Sequence, residues 1–346
     1  MSSLLDYKAG LISARNQLYN TAVAKLNNDA QTAINVVTSN NLMSKKAKTT
    51  KINAIVRARN NALNVLKKQL SKDIAAINNI TSVPIPPILN IPPRTTPSKI
   101  AVLVGINYNG TSKQLRGCIN DTVKISTLLI NKYGYSSDNI MFLTDNTASK
   151  PTKSNIINAF ANLLKNAISG DSLCFFYSGH GTYLPNNRNV NRSDKNDECI
   201  YPIDGKIITD IELKQIVDAN MKANVHFVAL FDSCFSGTIM NLRYNYKYSD
   251  NNGNTWINTN DALTVGTVIC ISGCTDSQTS DDAYIDGTYD GAMTWALTTT
   301  IATSPGPLSW TQLIDNIRSL LISSTFTQLP QLSSGNNIDI AAAVTF

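Results

Sequence analysis

Two short apolar runs, Ser172–Phe176 and Val225–Phe231, each lead directly into a polar, glycine-bounded turn. The first turn reads Tyr177-Ser178-Gly179-His180-Gly181 and holds one of only two histidines in the 346-residue chain. The second reads Asp232-Ser233-Cys234-Phe235-Ser236-Gly237, with Cys234 fifty-four residues after His180. A short buried strand ending in such a turn is how α/β proteins present a reactive side chain at the carboxyl edge of a sheet. A Cys on one turn and a His on its neighbour form a thiolate–imidazole pair, the reagent of a cysteine hydrolase.

The bland alternative is that these residues only pack. An isolated Cys is ordinarily a small buried hydrophobe. Cys174 and Cys270, inside apolar runs, read as core, and mid-strand His226 reads as structural. Cys234 differs because its flanks, Asp-Ser and Ser-Gly, are polar and turn-forming. His180 stands between two glycines, which suits a backbone that approaches a substrate closely. Six cysteines without a CxxC or regular spacing argue against a zinc site or a disulfide framework.

Beyond residue 98, strand-like and helix-like segments alternate. Residues 100–108, 140–144, 172–177, 225–231, 267–271 and 338–344 read as strands, and 120–132, 153–168, 210–219, 292–302 and 310–322 as helices. Such alternation predicts a mostly parallel sheet with helices on both faces, and about 245 residues suffice to bury that core as one domain.

Five motifs then carry a family resemblance. They are Val104–Tyr108, Leu115–Asp121, Tyr177–Gly181, Asp232–Gly237 and Ser272–Ser280, and in this order and spacing they resemble the metacaspases. Each motif alone is weak; five in register are specific. The resemblance implies a caspase-like three-layer sandwich with a six-stranded sheet, and a cysteine endopeptidase that cuts protein or peptide substrates after Arg or Lys. Cys234 is then the nucleophile and His180 its partner, with the amides of Cys234 and Gly181 as oxyanion donors. Asp121 and Asp232 supply an acidic pocket lined by Cys118 and Ser178; two carboxylates accept paired, charge-assisted hydrogen bonds from a guanidinium. The alternative for Asp121 is a helix N-terminal carboxylate. The resemblance also implies calcium, at counterparts Asp194, Asp210, Ile211 and Asn241. Ile cannot ligate through its side chain, so the site is expected to be weak or absent, with Asp197 and Glu198 nearby. A second departure is Phe235, where the family has His after the nucleophile.

The charge is split: +11 over residues 1–100 and −5 over the remainder. Residues 1–82 read as a basic helical prodomain of two or three helices, with Ile52, Ile55, Val56, Leu63, Leu66 and Leu70 on one face and Lys67, Lys68 and Lys72 interleaved. Its basic face is either simply solvated or meets an acidic partner, nucleic acid or membrane surface. Residues 83–98 form a proline-rich linker. The catalytic part, 99–346, divides into a large-subunit-like 99–247, a loop at 248–262 and a small-subunit-like 263–346. No run of 18 apolar residues and no secretory pattern occurs, so a soluble, cytoplasmic monomer is expected. Self-processing sites are expected at Arg94, Lys99, Arg243 and Lys247. The competing functional reading is an inactive caspase-fold scaffold acting through its basic helices.

Overall fold

The structure, a computed structural model, describes residues 2–78, 94–185, 196–234, 236–249, 253–258, 262–273, 282–285 and 288–346. It divides into two units, Met1–Val83 and Pro84–Phe346. The first is a pair of packed helices, α1 (Ser2–Ser39) and α2 (Lys45–Asn78). On α2 the predicted apolar stripe is partly buried, while Lys67, Lys68 and Lys72 are exposed. Most of the proline-rich segment lies outside the described residues.

The second unit begins with β1 (Lys99–Gly105), α3 (Cys118–Tyr133), β2 (Ile140–Thr144), α4 (Lys153–Lys165) and β3 (Ser172–Ser178). There follow β4 (Gly181–Pro185), β5 (Asn196–Ile200), β6 (Ile208–Thr209), α5 (Asp210–Asn220) and β7 (His226–Asp232). Then come β8 (Tyr244–Ser249), β9 (Gly253–Asn258), β10 (Thr267–Ser272), β11 (Asp282–Ile285) and β12 (Thr288–Gly291). Helices α6 (Ala292–Thr303) and α7 (Trp310–Ser323) and strand β13 (Gln331–Ser334) complete it.

The main sheet has the order β2-β1-β3-β7-β10-β13-β8-β9. Its first five strands are parallel and the last three add antiparallel. Strands covered on both faces read as continuous apolar runs rather than alternating ones, and β1, β3 and β7 each bury six consecutive residues. Phe175 joins Phe160, Leu163, Val217 and Phe227 under α4 and α5. Its neighbour Phe176 packs on the other face with Ile125, Leu297 and Ile317 of α3, α6 and α7. Helix starts are written locally: Thr209 with Glu212 and Ser309 with Gln312 form capping boxes on α5 and α7. No helix among the described residues is long and apolar enough to cross a membrane.

Two expectations are corrected. Within the stretch expected as a loop at 248–262, Tyr248, Ser249 and Gly253–Asn258 belong to the paired strands β8 and β9, which extend the sheet from six strands to eight. Tyr-Asn-Tyr-Lys-Tyr alternates with period two, so this polar stretch satisfies a strand pattern. The final strand is Gln331–Ser334, not 338–344. In the tail, Ile338, Ile340 and Val344 dock onto the apolar layer around α7 without strand pairing. Asp339 turns the chain by accepting from the Ala341 amide, which leaves a lone bridge between Ser309 and Ala343.

Candidate active site

Strands β3 and β7 are parallel neighbours in register, Tyr177 beside Phe231 and Ser178 beside Asp232. They therefore end level, and the turns that follow deliver His180 and Cys234 to one edge of the sheet. Both side chains are half-buried. The chain returns at once as β4, whose first residue lies against the Cys234 turn. A Cβ on Gly181 would fall on the Cys234 carbonyl oxygen, 2.9 Å from its carbon and 3.2 Å from the Cys234 nitrogen. Only glycine permits that approach.

His180 is held from several sides. Its Nε2 lies 2.7 Å from the Lys113 carbonyl oxygen, and a carbonyl accepts only, so Nε2 is the donor in this contact. The Tyr108 ring is tilted over the imidazole, with centroids 4.8 Å apart. The His180 amide donates to Tyr108 Oη at 3.0 Å, and its carbonyl accepts from Tyr177 Oη at 2.8 Å and from the Tyr201 amide at 3.0 Å. Burial drives the Tyr108 and Tyr177 phenols above their ordinary value, so both remain neutral donors. Cys118 lies close enough to add to both shifts. The other histidine, His226, bonds the Thr345 carbonyl at 3.0 Å, and burial lowers its pKa. It belongs to the fold, as read from the sequence.

Of the four expected pocket residues, Asp121, Ser178 and Asp232 come together beside this edge. Ser178 Oγ donates to Asp121 Oδ2 at 2.7 Å, and the Gly291 amide donates to both Asp121 oxygens at 3.1 Å. Asp232 Oδ2 accepts from the Thr294 amide at 2.8 Å and the Thr294 hydroxyl at 2.7 Å, at the first turn of α6. A Cβ on Gly291 would stand 2.8 Å from Asp121 Oδ2 and 2.7 Å from Asp232 Cγ, so the two carboxylates converge on one point. Burial first, then Asp232 and Asp290, hold the Asp121 carboxyl well above the usual carboxylate range, with Ser178 and Lys124 acting the other way. Lys124 pairs with buried Asp290 at 2.6 Å. Sequence reading missed Gly291, Thr294, Asp290 and Lys124, and the backbone oxygen of Lys113.

The described members of the expected calcium set, Asp210, Ile211 and Asn241, are joined by hydrogen bonds within the chain. Asn241 Nδ2 donates to Asp210 Oδ2 at 2.7 Å, while Asp210 Oδ1 accepts from the Ile211 amide at 2.7 Å. The Ile211 side chain offers no oxygen. Glu198 Oε2 is taken by the Thr238 amide at 2.8 Å, and Asp197 is buried. Asp194 and Phe235 lie outside the described residues. Among the described residues no group of three or more His, Cys, Asp or Glu is set to hold a metal ion, and an amide nitrogen facing a carboxylate is not a calcium donor set.

Of the expected processing positions, Lys99 and Lys247 sit within β1 and β8, not in open loops. Lys99 also donates to the Tyr133 carbonyl at 2.6 Å. Arg94 is ion-paired with Asp171, and half-buried Arg243 precedes β8 with its guanidinium 6.0 Å from the Tyr244 ring centroid.

Comparison with known proteins bears on the family and the fold. The family model described as metacaspase, peptidase C14 domain, matches residues 99–243. Metacaspase-1 of Emericella nidulans is 36% identical over 296 residues, covering 71% of this chain and 72% of that protein. Metacaspase-1A of Aspergillus terreus is 34% identical over 296 residues, with 71% and 73% covered. Protein GSU0716 of Geobacter sulfurreducens has a TM-score of 0.52 at 22% identity over 70% of this chain and 95% of that one, a likeness of fold. With more than a third of the aligned positions identical to a curated metacaspase over most of both chains, this chain belongs to the metacaspase family of caspase-like cysteine peptidases.

Proposed function

We propose that the chain is an endopeptidase that cleaves after Arg or Lys through a Cys234–His180 dyad, made as a precursor that processes itself. The observation that carries the specificity is the convergence of Asp121 and Asp232 beside the turns bearing the dyad. Burial above all, and then repulsion from Asp232 and Asp290, make Asp121 resist ionisation. A guanidinium or ammonium group relieves that repulsion, whereas an acidic side chain adds to it.

The chemistry follows from the atoms present. Lys113 fixes the imidazole so that Nδ1 takes the Cys234 proton; the thiolate attacks the scissile carbonyl carbon, and the carbonyl π electrons move onto oxygen. The Cys234 and Gly181 amides stabilise that oxyanion. As the tetrahedral species collapses, the imidazolium proton goes to the leaving amine. Water, deprotonated by the same imidazole, then attacks the thioester, and the thiolate leaves. The test is turnover of fluorogenic peptides ending in Arg, Lys or Asp by wild type and Cys234→Ala. Arg and Lys peptides are cleaved by wild type alone. Preference for the Asp peptide defeats the pocket assignment, and residual cleavage above a few per cent by Cys234→Ala defeats the nucleophile.

A further inference from the structure

The segment that follows the nucleophile, Ser236–Leu242, is largely buried, with Ser236, Ile239, Met240, Asn241 and Leu242 all inaccessible. Two carboxylates from elsewhere in the fold grip it. Glu198 of β5 accepts from the Thr238 amide at 2.8 Å, and Asp210, which opens α5, accepts from the Asn241 side-chain amide at 2.7 Å. Strand β5 pairs with β4, whose first residue, Gly181, rests on Cys234. The grip therefore closes a ring: dyad turn, β4, β5 and α5, and back to the segment that carries the nucleophile.

We propose that Asn241 is a positioning residue whose amide does the work a bound cation would do at Asp210, fastening the Cys234 segment by hydrogen bonds within the chain. Its role in cleavage rests on the peptidase reading above. A carboxylate only accepts and an amide nitrogen only donates, so the Asn241–Asp210 pair is satisfied without a counterion. An Asp at position 241 would set two buried carboxylates face to face, an arrangement relieved either by a cation between them or by protonation of one, and the proton is scarce at neutral pH. Asn241 has a positive φ of 45° and closes its turn by donating from its amide to the Thr238 carbonyl at 2.7 Å. Asp is nearly isosteric and tolerates that backbone region, so the exchange alters charge and little else.

The experiment uses full-length wild type, Asn241→Asp and Asn241→Gly, each in chelator and in millimolar calcium. Arg-peptide turnover and the thermal midpoint are both measured. Wild type is expected to turn over equally, within about twofold, in both conditions. Asn241→Asp is expected to slow at least about tenfold in chelator and to recover in calcium, with its midpoint raised by the ion. Asn241→Gly keeps the turn, is slowed, and does not respond to calcium. A wild type that needs calcium overturns the proposal, as does an Asp variant indifferent to the ion. If the Asp variant folds in neither condition, the response of wild type to chelator decides. If no protein turns over any peptide, the peptidase reading fails by itself. The midpoints still judge the fastening: a calcium shift in the Asp variant alone supports it, and one in wild type refutes it.

Discussion

Gly181→Ala isolates the contact on which the site geometry depends. The added carbon would land on the Cys234 carbonyl oxygen, 2.9 Å from its carbon and 3.2 Å from the Cys234 nitrogen, where ordinary contacts lie at 3.4–4 Å. All of these atoms are backbone, so no side-chain rotation relieves the overlap. Gly181 is paired with Ile200 in β4–β5, which resists recoil on one side; the nucleophile turn must give on the other, by about 1 Å. A misplacement of that size at a reacting group costs on the order of 10²-fold in rate. Displacing the Gly181 amide as an oxyanion donor costs on the order of 10²–10³ in kcat, and the overpacking itself about 1–3 kcal/mol of stability. The assay is kcat/KM on an Arg peptide, with the thermal midpoint and iodoacetamide labelling of Cys234 showing that the protein is folded and its thiol intact. Gly306→Ala, whose added carbon meets nothing within 4 Å, is the control. A folded Gly181→Ala that keeps more than a tenth of wild-type kcat/KM refutes the close approach and the oxyanion role built on it.

Two further outcomes are expected. Asp121→Asn should lose about 2–5 kcal/mol of transition-state binding for basic substrates yet unfold at a higher temperature near neutral pH. The folded pKa of Asp121 lies above its unfolded value, so the carboxyl favours folding below the unfolded value and loses that advantage as pH rises through the folded one. The stability gain of Asp121→Asn should therefore grow towards neutral pH, and a destabilised variant at pH 7 counts against the repulsion. Self-cleavage should follow Arg94 and, secondarily, Arg243, because Lys99 and Lys247 lie within strands. N-terminal sequencing of fragments absent from Cys234→Ala reads this directly. Fragments beginning between residues 249 and 300 contradict it, since residues 248–317 contain no Lys or Arg.

Much of this site was legible because its signals are local. The apolar runs of β1, β3 and β7 are continuous since both faces are covered, and the two turns after β3 and β7 announce themselves by glycine and polar flanks. What escaped was nonlocal or carried by backbone. Gly291 reaches Asp121 from 170 residues away in the chain, and no spacing in a single sequence marks that contact. The Lys113 carbonyl that orients His180 has no side-chain identity at all. Strand β13, Gln-Leu-Ser-Ser, has one apolar residue and thus almost no pattern. The tail at 338–344 has the better apolar pattern but spends it on packing against the α7 layer. The resemblance puts Asp210 and Asn241 in one set of calcium counterparts, but that the Asn241 amide nitrogen faces Asp210, and hence the sign of the interaction, needs coordinates.

The pocket also explains why a cut at Arg243 need not dismantle the enzyme. Asp232 lies before that bond and Gly291 and Thr294 after it, yet Asp232 takes its hydrogen bonds from Thr294, and Asp121 takes one from Gly291. Strand β7, before the bond, pairs along its length with β10, after it. The β8–β9 hairpin is fixed to the sheet through β13 rather than through the chain leading to it. Each half therefore brings part of the acidic pocket and part of one buried sheet. Separating them would expose the apolar faces of β7 and β10 and take the Thr294 donors from Asp232 and the Gly291 amide from Asp121, which costs far more than one peptide bond of continuity contributes. On the proposed specificity, the carboxylates that would receive the substrate cation are aligned only while α6 stands against β7.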